Sequence, residues 1–126
     1  MTEFTVHVAN RPGMLAALTE KLSSAGINIE ALAAFGVDRD AQVRIIVDDA
    51  ATTRSILGLA DIRFEEREVL ITMLDPNPGS LATIARRLAD AEVNIDAMYL
   101  LRSSAEGWEF AVAVDEPDRA RSRLGA

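Results

Sequence analysis

Apolar and polar residues alternate through FTVHV, Phe4 to Val8, the period of a strand with one face buried. The period then lengthens. Leu15, Leu18, Leu22 and Ala25 recur at three- and four-residue steps, which places them on one face of a helix. Pro12 suits the start of that helix, with Asn10 or Arg11 as the expected cap, and Gly26 ends it. INIEALAAF, from Ile27, reads as a strand, VDRDA as a hairpin turn and QVRIIVD as the returning strand. Asp48 or Asp49 then caps a weaker helix reaching to about Ala60, and IRFEER follows as a fourth strand. The predicted order is β-α-β-β-α-β.

The pattern then returns. Gly79 lies 66 positions after Gly13, and at that offset Pro12 meets Pro78, Leu15 meets Leu81, Leu22 meets Leu88, Asn28 meets Asn94 and Ile29 meets Ile95. Past the next turn the offset becomes 67, and Val43 to Asp48 faces Phe110 to Asp115. EVLITML is therefore a first strand. Pro78 opens a helix with the face Leu81, Ile84, Leu88 and Ala91. VNIDAMYLL and WEFAVAVD are the hairpin, and Asp115 or Glu116 with Pro117 opens a last helix. No fourth strand follows. The expectation is an α+β chain of two ferredoxin-like βαββαβ units, residues 1–67 and 68–126. Each has an antiparallel sheet with helices on one face, and the second lacks its final strand.

Two consequences follow for burial. The first strand of the second copy would lack its outer neighbour, and such edges are normally covered, here by a second chain or by another element of this one. Val69, Ile71 and Met73 alternate with Leu70, Thr72 and Leu74, so that strand is apolar on both faces. A second apolar face favours burial against another sheet or subunit, hence a homodimer.

Composition narrows the chemistry. The 126 residues include no cysteine and one histidine, His7, which removes thiol chemistry and disfavours zinc sites and His-based triads. No metal and no cofactor is expected. Net charge is −7, aromatics are 5%, and basic residues are scattered, so nucleic acid and anionic membrane surfaces are unfavourable partners. No apolar run approaches the roughly 20 residues of a membrane span. MTEFTVHV lacks the pattern of a signal peptide, and a cytoplasmic location is expected.

Val8-Ala-Asn10-Arg-Pro-Gly13, an amphipathic helix, and then Ala25-Gly-Ile-Asn28-Ile resemble an ACT domain, a small regulatory module that binds amino acids. Asp75-Pro-Asn-Pro-Gly79 with Ala91-Glu-Val-Asn94-Ile resembles it more loosely, since Pro76 stands where the first copy has Asn10. The whole chain resembles stand-alone tandem ACT proteins without a catalytic domain. The resemblance implies a non-catalytic, allosteric sensor whose small ligand, an amino acid, binds where units join, and which acts on a metabolic enzyme or regulator. It implies ligand contacts from Asn10, Arg11, Pro12, Gly13, Met14 and Leu15 with Asn28 and Ile29. The corresponding set in the second copy is Asn77, Gly79, Ser80 and Leu81 with Asn94 and Ile95. The serine-binding units of phosphoglycerate dehydrogenases carry a histidine two residues before the loop asparagine; Val8 stands there in this chain, so that specificity is not implied.

The residue types suit the role. A helix N-terminus offers unpaired N–H donors and the positive end of the helix dipole to a carboxylate. Gly13 lets a ligand approach the backbone. An asparagine amide both donates and accepts, so it can meet either end of a zwitterion. Each also has a purely structural reading: Asn10 as a helix cap, Gly13 as a turn residue, Asn28 and Asn94 as local backbone partners. Two other functions compete with the sensor. One is an assembly module with relic loops. The other is a small ferredoxin-like enzyme of the acylphosphatase kind, which Arg11 before Pro12 serves poorly.

Overall fold

The computed structural model describes residues 1–125; Ala126, the last residue of the expected second unit, lies outside them. In chain order the elements are β1 Thr2–Ala9, α1 Met14–Ser24, β2 Ile29–Val37, β3 Asp40–Val47, α2 Ala50–Leu59 and β4 Phe64–Glu68. These are followed by β5 Leu70–Leu74, α3 Ser80–Asp90, β6 Ile95–Ser104, β7 Gly107–Val114 and α4 Pro117–Leu124. The chain divides into two units, Thr2–Arg67 and Met1 with the residues from Glu68 onward.

The first unit is a four-stranded sheet in the order β2-β3-β1-β4. β3 pairs antiparallel with both β1 and β2. Its register sets Phe4 beside Ile45 and Val6 beside Val43. These four side chains point to one face, where Leu18 and Leu22 of α1 and Leu57 of α2 close over them. β4 flanks β1: His7 N–H donates to the Arg63 carbonyl at 2.9 Å, and the Phe64 ring lies 5.8 Å from that of Phe4. On the other face Arg44 donates to the buried Glu3 carboxylate at 3.0 Å, and His7 Nε2 lies 2.7 Å from Glu65 Oε1.

The second unit repeats this through three strands, in the order β5-β7-β6, with a core of Leu70, Leu88, Val93, Val112, Val114 and Ala120. Among the described residues no fourth strand flanks β5. At the start of its outer edge Val69 N–H donates to the Met1 carbonyl at 2.8 Å and the Met1 ammonium to the Val69 carbonyl at 3.4 Å. The second apolar face expected of this sheet is only partly covered: Ile71 is half-buried, and Met73 is 49% exposed.

The helix starts differ from the sequence expectation. α1 begins at Met14 behind Gly13, whose φ of 88° is left-handed, and neither Asn10 nor Arg11 caps it. The turn through Pro12 and Gly13 moves the cap three residues past Asn10, out of reach of the first helical N–H groups. α3 likewise begins at Ser80 behind Gly79 at φ 95°, two residues after Pro78. The aspartate pair ahead of α2 divides its work. Asp49 caps, accepting Thr52 N–H at 3.0 Å and the Thr52 hydroxyl at 2.6 Å, while Asp48 accepts the N–H of Asn28. The two Thr52 donors, the hydroxyl first and then the N–H, hold the Asp49 carboxyl below its usual range.

Candidate functional site

The two β-α loops are one structure built twice. In the first, Arg11 N–H donates to the Ala9 carbonyl at 3.1 Å, Met14 N–H to Arg11 at 3.4 Å and Ala17 N–H to Gly13 at 2.9 Å. In the second, Asn77 donates to Asp75 at 2.9 Å, Ser80 to Asn77 at 3.4 Å and Thr83 to Gly79 at 2.8 Å. Left without a backbone partner among the described residues are the N–H groups of Gly13, Leu15 and Ala16 in one loop, and of Gly79, Leu81 and Ala82 in the other. Each set points from a helix N-terminus, the polarity that receives an anion. No side chain caps either helix. Nothing lies within 4 Å of where a Cβ would stand on Gly13 or Gly79, so both approaches are open. Beside each stands a half-exposed leucine, Leu15 at 41% and Leu81 at 47%.

The side chains set the two loops apart. Asn10 reaches sideways to the β2–β3 hairpin: its Nδ2 donates to the Asp38 carbonyl at 2.9 Å, and its N–H donates to the Arg39 carbonyl at 2.8 Å. Its carboxamide lies on Gly36, where any Cβ would come within 2.6 Å of Nδ2. Asp38 sits left-handed at the hairpin tip, at φ 56°. Among the described residues nothing donates to Asn10 Oδ1, and Arg11 Nε donates to Met14 Sδ at 3.3 Å. In the second loop Pro76 cannot make the Asn10 contact, and Ser80 Oγ turns inward to Asn77 Oδ1 at 2.8 Å.

Asn28 and Asn94 both follow the end of a helix and precede a strand. Asn28 and Asp48 exchange two bonds, N–H to carboxylate at 3.0 Å and Asp48 N–H to the Asn28 carbonyl at 3.2 Å. Asn94 and Asp115 repeat them at 2.8 and 3.2 Å. The Asn94 side chain is also engaged, Nδ2 donating to Asp96 at 2.8 Å. The exposed Asn28 carboxamide makes no hydrogen bond among the described residues. Ile29 and Ile95, next in line, are half-buried at the starts of β2 and β6.

Within one unit these residues do not converge. Asn10, Arg11, Pro12, Gly13, Met14 and Leu15 surround the N-terminus of α1, whereas Asn28 and Ile29 follow its C-terminus. The 11 residues of α1 separate the two groups by about 16 Å. Asn77, Gly79, Ser80 and Leu81 are likewise divided from Asn94 and Ile95 by α3.

Sequence reasoning missed the hairpin tip. Gly36 inside a strand was the available signal, since a strand glycine marks close approach by another group. It also missed a cleft of about 450 Å³ in the second unit, where Asn77, Gly79 and Ser80 line one end and Thr72, Thr83 and Arg87 continue the wall. Among the described residues no group of three or more His, Cys, Asp or Glu side chains could hold a metal. No helix among the described residues is long and apolar enough to cross a membrane.

The ACT domain family matches residues 2–60, which span the loop, α1 and the Asn28–Asp48 exchange. The first unit is an ACT domain. The second unit repeats the topology of the first through three strands and two helices. Solved structures share the fold at low identity. A protein of Bacteroides thetaiotaomicron is 22% identical, covers 98% of this chain and 85% of its own, and superposes with a TM-score of 0.88. The ligand-free regulatory subunit of aspartate kinase from Thermus thermophilus is 18% identical over 98% of this chain and 87% of its own, with a TM-score of 0.70. That of Thermus flavus is 17% identical over 98% and 89%, with a TM-score of 0.63. No curated protein matches the chain.

Proposed function

We propose that this chain is a non-catalytic cytoplasmic sensor that binds an amino acid at its first ACT domain and changes how it engages a metabolic enzyme or regulator. The observation that carries the reading is the α1 N-terminus. Among the described residues three backbone N–H groups stand without partners on an open approach flanked by Leu15, and the Asn10 carboxamide, held on the β2–β3 hairpin through Nδ2, leaves its Oδ1 as an acceptor. The N–H groups suit a carboxylate, the amide oxygen suits an ammonium, and the leucine suits an aliphatic portion. Asn28 adds a carboxamide that makes no hydrogen bond among the described residues. It stands about 16 Å from Asn10 along α1, so a ligand touching both draws them from two copies of the unit. A homodimer satisfies that requirement, and ligand binding then favours one arrangement of the copies, which is the basis of an allosteric signal.

The test is thermal melting followed by Trp108 fluorescence, against each of the twenty amino acids at about 10 mM. Ligand at 100 times its Kd stabilises by about 2.7 kcal/mol, worth several degrees in a chain of this size. One amino acid that raises Tm, and loses its effect in Asn10→Ala or Asn28→Ala, identifies the signal. Twenty unchanged curves favour the assembly module instead. The second loop leans that way: Pro76 replaces the asparagine, Asn77 and Ser80 bond each other, and Asn94 is held by Asp96.

A further inference from the structure

The unpaired edge of β5 is the remaining feature without a role. Strand backbone groups face alternate sides. The Leu74 carbonyl faces inward, toward β7, 2.6 Å from where a Cβ on Gly107 would stand. Val69 faces outward, bonded to Met1. Ile71 and Met73 therefore also present N–H and C=O groups outward, to an edge with no strand on it. In the first unit the matching edge of β1 is filled by β4, and His7, the counterpart of Met73, donates there to Arg63.

β4 shows what such a slot accepts. Phe64 packs on Phe4. Two residues on, on the same side of the strand, Glu66 takes a two-pronged bond from Arg54 of α2, both contacts at 2.6 Å. In the second unit the repeat puts Arg121 of α4 where α2 has Arg54. Arg121 is 42% exposed and held only loosely, at 3.4 Å from Asp118 and 3.7 Å from Glu68. Thr72, Met73 and Leu74 of this strand line the cleft of about 450 Å³, together with Arg87 and Leu124. Leu124 is half-buried, whereas its counterpart Leu57 is fully covered.

We infer that the β5 edge takes a short extended segment of a partner protein, carrying a large apolar residue followed two positions later by a carboxylate. Backbone bonds to Ile71 and Met73 hold the segment as an added strand. Its apolar side chain enters the cleft beside Leu124, and its carboxylate pairs with Arg121. A second copy of β5 fits poorly. A two-fold pairing of Ile71 with Met73 of the copy sets Asp75 of the copy opposite Val69, where Met1 already lies.

The test adds a synthetic peptide with the sequence of residues 62–68, IRFEERE, to the full chain. The expected result is saturable binding by fluorescence anisotropy, with amide exchange at Ile71 and Met73 slowed about tenfold or more. Arg121→Glu weakens binding about tenfold, and a peptide with lysine at its second glutamate restores it to that variant. Three results overturn the inference. One is unchanged exchange at Ile71 and Met73 under saturating peptide. The second is protection there without peptide, in a chain that sediments as a dimer, which assigns the edge to a second copy. The third is protection confined to Thr5 and His7, which marks displacement of β4 within the first unit.

Discussion

Asn28 and Asp48 hold each other by backbone and carboxylate: the Asp48 side chain accepts the Asn28 N–H at 3.0 Å, and the Asn28 carbonyl accepts the Asp48 N–H at 3.2 Å. The exchange ties the turn after α1 to the end of β3 and uses no atom of the Asn28 side chain. Fold and candidate ligand contact therefore separate at this residue. Asp48→Ala removes a charge-assisted bond and leaves an N–H to water, and should cost about 1 kcal/mol in urea unfolding. Asn28→Ala should leave stability unchanged within about 0.5 kcal/mol while abolishing ligand-induced stabilisation. Equal losses of stability in the two variants would return Asn28 to a purely structural role.

Gly36 and Asn10 make a second separable pair. A methyl group on Gly36 would stand 2.6 Å from Asn10 Nδ2, and the flexible carboxamide is what must move. Gly36→Ala should therefore break the Asn10–Asp38 bond, at a cost of about 1 kcal/mol, and free the loop that precedes α1. In an Asn10→Ala background the same change should be nearly neutral. A double-mutant cycle by chemical denaturation reads the coupling directly, and additive effects would mean that the hairpin does not hold the loop.

The repeat was legible because both copies keep the residues that the backbone needs at the loops: a glycine able to sit left-handed, and apolar positions at helical spacing. The 66-residue offset located both loops, both helices and the unpaired first strand of the second unit. Asn10 was misjudged as a possible cap for a physical reason. Its partner Asp38 lies 28 residues away, on a hairpin whose approach no local pattern reveals. The aspartate pair Asp48-Asp49 was recognised as a helix start but not divided, since only the fold brings Asn28 within reach of Asp48. Whether Asn10 and Asn28 ever touch one ligand depends on how two units meet, and no single unit's pattern encodes that.

The same repeat exposes a weak point at the end of α3. After α1, Gly26 takes the left-handed position at φ 74°, and Ile27 N–H closes back onto the Leu22 carbonyl at 3.1 Å. After α3 the matching residue is Glu92, held at φ 59° while Val93 N–H closes onto Leu88 at 2.9 Å. A side chain in that region costs about 1–2 kcal/mol that glycine avoids. Glu92→Gly should raise the stability of the second unit by about 1 kcal/mol, and Gly26→Ala should lower that of the first by a similar amount. Hydrogen exchange resolved by unit distinguishes the two, and a destabilising Glu92→Gly would show that this side chain has a role beyond the turn.

Acid should weaken the first unit through two named carboxylates. The Arg54 guanidinium, bonded to Glu66, holds that carboxyl below its ordinary value of 4.5, and the Thr52 hydroxyl and N–H hold Asp49 below 3.8. A carboxyl with a depressed folded pKa binds fewer protons folded than unfolded. Its contribution is thus complete above the unfolded value and is lost as pH falls through the folded one. Both contributions are intact at pH 7; that of Glu66 fades below about pH 4.5 and that of Asp49 below about pH 3.8. Both groups are exposed, so salt should weaken the Arg54–Glu66 part and spare the Asp49 cap, which bonds neutral donors. Tm measured from pH 7 down to about pH 3 should fall less steeply in Glu66→Gln and in Asp49→Asn than in the parent chain. Both variants should start from a lower plateau at neutral pH. Parallel curves for parent and variants would mean that other carboxylates govern the acid limb.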